Sequence, residues 1–180
     1  RCDHTLALAL WDTGIHEARI LASIIDDPKQ VTPAQMDAWA ADFDSWDVCD
    51  QCCINLFRRV PWAHDRAREW CVRPETFVRR AGFSLIATLA IHDRKASDEQ
   101  MAMFLPLIRE AATDERNFVR KAVNWALRQI GKRSPALHTQ AIQAAVEIQQ
   151  IDSEAAHWIA ADALRELRGV AVLRRLGLED

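Results

Sequence analysis

Phe77-Val78-Arg79-Arg80-Ala81-Gly82-Phe83 returns 41 residues later as Phe118-Val119-Arg120-Lys121-Ala122-Val123-Asn124-Trp125. In both copies apolar positions recur three and four residues apart, so they line one face of a helix. Trp158-Ile159 follows 40 residues after Phe118-Val119 and opens another helix running to Arg168. Counting back 30 residues from Val78 reaches Val48, in a helical segment that holds Trp46 and Asp50. Helix pairs that repeat every 30 to 45 residues or so mark an α-solenoid of the HEAT or armadillo kind, in which each pair buries its apolar face against the next. The expected fold is therefore all-α, a solenoid of HEAT-like antiparallel helix pairs with a concave groove. One domain is expected to span residues 1–180, and a non-repeating helical bundle is the alternative.

Composition agrees with this periodicity. Glycine and proline supply 11 of the 180 residues and alanine 29. So few breakers leave little room for the hairpins of a sandwich or barrel. Asp26-Asp27-Pro28, Arg73-Pro74, Ser97-Asp98, Thr113-Asp114, Ser134-Pro135 and Asp152-Ser153 supply caps or first-turn prolines. They predict helices near 3–11, 14–26, 33–43, 45–59, 61–72, 75–91, 98–111, 115–132, 134–149 and 153–168. No stretch approaches the roughly 18 apolar residues of a membrane span. Arg1-Cys2-Asp3-His4 carries no initiator Met and no signal core, and reads as the start of a trimmed chain. Five cysteines without dense spacing point to a reducing, cytoplasmic compartment. Cys49-x-x-Cys52 lacks a second half-site, so Cys49, Cys52 and Cys53 are expected as buried thiols, with no metal.

The formal charge of −3 conceals an uneven distribution. Residues 1–57 carry 3 basic and 10 acidic side chains, residues 58–133 carry 16 and 9, and residues 134–180 carry 4 and 7. The blocks are thus −7, +7 and −3. A local cationic field is what phosphate binding requires, since affinity comes from counterion release at the contacts. The competing reading is a solvated face laced with ion pairs. Trp125 falls at the edge of its helix's apolar arc, beside Lys121, Arg128 and Lys132, where an aromatic can lie against a sugar or base while cations hold phosphates. The other tryptophans are expected mostly in the core.

The 30- and 41-residue offsets bring Asp50, Arg80 and Lys121 into register on successive helices. Trp46 and Asp50 share one helix face, a turn apart. Asp44 or Ser45 caps that helix, so Asp47 in its first turn suits the dipole, whereas Asp50 lies in the interior and wants a cationic partner or a chemical role. A salt bridge between Asp50 and Arg80 is the structural alternative.

Together, Ser-Trp-Asp-Val-Cys-Asp (45–50), Phe-Val-Arg-Arg-Ala (77–81) and Arg-Lys-Ala-Val-Asn-Trp-Ala-Leu-Arg (120–128) resemble the DNA alkylation repair glycosylases of the AlkD-like family. The resemblance runs over roughly residues 5 to 170. It implies a HEAT-like solenoid whose concave groove holds duplex DNA and whose enzymes excise N3- and N7-alkylated purines without a cofactor. It places the family's active-site pair on Trp46 and Asp50, its groove arginine on Arg80 or the adjacent Arg79, and its second groove tryptophan on Trp125. Arg120, Lys121 and Arg128 join the expected DNA contacts. The family's usual amino-terminal helices are expected to be missing. The resulting expectation is a monomeric, monofunctional alkylpurine DNA glycosylase without lyase activity, located in the cytoplasm and associated with the nucleoid when bound to DNA. The alternatives are a non-catalytic HEAT-repeat DNA-binding protein and a protein-interaction scaffold.

Overall fold

Several helices begin where the sequence supplies a cap. In the computed structural model, which describes residues 2–179, Asp3, Thr32, Ser97, Ser134 and Ser153 each accept a hydrogen bond from a first-turn amide, and Pro33 and Pro135 open their helices. The chain order is α1 (His4–Asp12), α2 (His16–Ile25), α3 (Pro33–Ala41), α4 (Trp46–Asn55), α5 (Ala63–Cys71), α6 (Thr76–His92), α7 (Asp98–Ala102), α8 (Leu105–Glu110), α9 (Asn117–Gly131), α10 (Pro135–Gln149), α11 (Glu154–Leu167) and α12 (Val170–Leu176). There is no strand among the described residues, and no helix is long and apolar enough to cross a membrane.

Three boundaries differ from the sequence expectation. The segment 98–111 divides into α7 and α8, because Pro106 in the first turn of α8 has no N–H to continue the ladder from α7. The segment 45–59 leaves α-geometry after Asn55 and closes in a 3-10 turn, Phe57–Arg59. Beyond 168, α12 forms without having been foreseen.

The helices group into two compact units that divide between Leu85 and Ile86. In the first, aromatic rings form the core. Trp11 stacks on Trp39 with centroids 3.9 Å apart, and Phe43, Phe57 and Trp70 continue the cluster. The buried indoles keep their N–H groups satisfied, Trp11 donating to Asp42 and Trp70 to Asp37. Asp26 is wholly buried, accepting from Gln35 Nε2 at 2.7 Å and the Asp27 amide at 2.7 Å, with His4 Nδ1 at 2.6 Å.

Packing of α4 on α6 depends on small side chains. Cys49 Sγ donates to the Phe77 carbonyl at 3.8 Å and Cys53 Sγ to the Ala81 carbonyl at 3.6 Å. Cys49, Cys52, Cys53 and Cys71 are buried, as the sequence led one to expect for the first three, and Cys2 is exposed. Burial pushes the Cys52, Cys53 and Cys71 thiols well above their ordinary range. Gly82 lets α6 approach the end of α5. A Cβ there would stand 2.7 Å from the Cys71 amide nitrogen and 2.9 Å from its sulfur.

In the second unit, α9 buries Val119, Ala122, Val123, Ala126, Leu127 and Ile130, and leaves Phe118 exposed. Packed on this helix, α10 and α11 bury alanines at Ala141, Ala144, Ala145, Ala155, Ala156, Ala160 and Ala163.

Candidate functional site

Ser45 in extended conformation starts α4, so Trp46 is its first helical residue and stands 55 % exposed. Asp47, in the same first turn, has His16 Nε2 of α2 within 2.8 Å of Oδ2. Burial opposes ionisation of Asp47, but hydrogen bonds from His16 and Ser45 outweigh it and hold the carboxyl low. One turn beyond Trp46, Asp50 turns toward α6. Arg80 Nε donates to Oδ1 at 3.1 Å and Nη2 to Oδ2 at 2.7 Å, a two-point bond from the guanidinium edge. Ser84, one turn further along α6, donates to Oδ1 at 2.8 Å.

The side chains of Asp50 and Arg80 are 14 % and 7 % exposed, so this pair is largely withdrawn from water. The salt bridge held open by the sequence is therefore present. Arg80 spends its fork on a carboxylate and is buried. The Arg79 charge opposes the burial-driven rise of the Cys71 thiol. Of the two arginines, Arg80 is the one bonded to Asp50. Ser84 was missed in the sequence. Its signal is its place four residues after Arg80, which shares that face, and a buried hydroxyl there wants an acceptor.

The remaining expected site residues belong to α9 in the second unit. Trp125 is half-buried at the edge of the apolar arc, and Lys121 is exposed. With the Gln129 amide oxygen turned toward them, Trp125 Nε1 and Lys132 Nζ donate to it at 3.2 and 3.0 Å. Contacts between α9 and α11 follow a 38-residue offset: Arg120 over Trp158, Asn124 to Asp162, Arg128 to Glu166. Lys132 Nζ also reaches Glu166, at 2.5 Å. Burial works against ionisation of Glu166, but the hydrogen bonds from Lys132 and Arg128 prevail and hold it below the usual carboxylate range.

The positive block is thus partly neutralised from outside itself. Arg128 and Lys132 answer to acids of α11, Arg80 to Asp50, Arg66 to Asp37, and Arg109 to Glu147. Trp158 is not a core residue, being 38 % exposed.

A search of curated protein sequences gives no significant match. Among solved structures, one described as a new family of proteins related to the HEAT-like repeat DNA glycosylases, with affinity for branched DNA structures, is similar. It shares 21 % identity with a TM-score of 0.73, over 92 % of this chain and 76 % of that one, and establishes the HEAT-like fold. A family model described as DNA alkylation repair enzyme matches residues 1–167. With that match covering nearly its whole length, the chain belongs to the DNA alkylation repair enzyme family.

Proposed function

We propose that the protein is a monofunctional DNA glycosylase that hydrolyses the N-glycosidic bond of N3- and N7-alkylated purines in duplex DNA. The observation that carries this reading is an oriented carboxylate, Asp50, one helical turn from the exposed indole of Trp46. Alkylation at N3 or N7 makes the purine a cationic leaving group, so the reaction needs little acid assistance. The barrier lies in the positive charge that builds on the deoxyribose as the bond breaks. A carboxylate held in alignment stabilises that charge without reorganising, and it can orient the attacking water. Asp50 has three of its roughly four lone-pair sites engaged by Arg80 and Ser84, which leaves one for that water. Trp46 offers an electron-rich face to the cationic sugar. Arg80 and Ser84 act as positioning residues, and Trp125 with Lys121 contributes DNA contacts from the second unit.

The second reading, a DNA-binding repeat protein without chemistry, draws on the same ion pair. A carboxylate held by a buried arginine is also a structural bridge between repeats, and the similar solved structure is described by its affinity for branched DNA. Incubation with duplex carrying N7-methylguanine separates the two readings. The glycosylase reading expects free base from the native protein and none from Asp50→Asn, which still binds the duplex. Release at the native rate by Asp50→Asn sinks it.

A further inference from the structure

On α11, Trp158, Asp162 and Glu166 occupy successive turns, and they meet Arg120, Asn124 and Arg128 of α9 in the same order. At the two later rungs the partner is acidic. Arg128 bonds Glu166 and lies 3.7 Å from Asp162, and Lys132 shares Glu166, so these cations are largely cancelled before any ligand arrives. At the first rung the partner is aromatic. The Arg120 guanidinium carbon lies 5.1 Å from the Trp158 ring centroid, with no carboxylate in salt-bridge range among the described residues. A ring face holds a guanidinium in place without removing its charge; Arg120 Nε is buried, so the terminal Nη1 and Nη2 are the groups left for two parallel bonds.

Around this rung the surface suits a sugar-phosphate backbone. Lys121 is exposed beside Arg120, and Phe118 and Trp158 are each 38 % exposed. We infer that the Arg120–Trp158 pair, with Lys121, is the phosphate-gripping point of the second unit for duplex DNA, and that Arg128 and Lys132 are not. Arg120 donates from its guanidinium edge to a phosphate, and the uncovered part of the Trp158 ring packs on the neighbouring deoxyribose. The inference rests on the DNA-binding part of the proposed function, not on its chemistry. It departs from the sequence expectation by moving Arg128 out of the DNA contacts and bringing Trp158 in.

The test is fluorescence anisotropy of a labelled, undamaged duplex with the full chain over a salt series. Arg120→Ala is expected to weaken binding about tenfold and to lower the log–log salt slope by about 1. Trp158→Glu, which gives the first rung the chemistry of the later two, is expected to match it. Trp158→Phe, which keeps an aromatic face, is expected to stay within about twofold, as is Arg128→Ala. Because Arg120 is only partly buried, Arg120→Ala remains decisive if the Trp158 variants lose stability. Native affinity in Arg120→Ala, equal losses in Arg120→Ala and Arg128→Ala, or no duplex binding by the native chain would each overturn the inference. Since the readout is binding, a protein that shows this pattern and releases no base would sink the glycosylase reading alone.

Discussion

Asp50 and Arg80 stand one repeat apart in sequence and are joined by two hydrogen bonds, of 3.1 and 2.7 Å. The pairing changes what Arg80 can do. A guanidinium whose Nε and Nη2 both serve a neighbouring carboxylate is a poor clamp for a phosphate, so its effect on chemistry runs through Asp50.

Arg80→Lys keeps the charge and loses the fork. Base release in single turnover is expected to fall by about 10²-fold, the scale of losing one preorganised electrostatic contact, with duplex affinity and salt slope near native values. A slope reduced by about 1, with release unimpaired once DNA is saturating, would return Arg80 to the role of phosphate contact.

Ser84→Ala removes one of the three bonds to Asp50. A hydrogen bond to a charged group is worth about 1.5 to 3 kcal/mol, so chemical denaturation is expected to show a loss in that range. Ser84→Thr retains the hydroxyl and is expected to recover most of the rate lost by Ser84→Ala. A rate that stays low in the threonine variant while stability recovers would separate Ser84 from the positioning of Asp50.

Gly82→Ala forces a methyl group against the Cys71 backbone at 2.7 Å. Overpacking of this kind costs about 1 to 3 kcal/mol, read as a lower melting temperature. Val123 occupies the corresponding place in the second copy of the repeat, so the restriction belongs to the α5–α6 contact and not to the motif.

Glu166 sets an acid limit. Its folded carboxyl lies below the unfolded value of about 4.3, so the stability it contributes is fully present above that pH and is lost as the pH falls through the folded value. Glu166→Gln is expected to be less stable than the native protein at pH 7 and to lose less on acidification from pH 5 to pH 3, by about the amount Glu166 supplies. Parallel melting curves for the two proteins across that window would remove Glu166 from the acid response.

Helix periodicity, the caps and the 41-residue echo were legible because they are local or repeat along the chain. The division of 98–111 was not, since Leu105 and Ile108 continue an apolar rhythm across Pro106. Ser84 was hidden inside the apolar run from Gly82 to Ala90, where a hydroxyl reads as a small core residue until its acceptor on α4 is known. The partner of Arg128 and Lys132 was hidden in the charge blocks for a related reason. Their partner Glu166 lies 38 and 34 residues away, in the next block, so the count separated each cation from the acid that neutralises it.

The buried thiols of α4 and α5 bear on the life of a repair protein. Electrophiles that alkylate purines also attack cysteine, and they do so through the thiolate. Cys52, Cys53 and Cys71 are kept protonated by burial, and Cys49 is enclosed with them. The packing that brings Arg80 to Asp50 therefore also shields four of the five cysteines from the agents whose damage its family repairs.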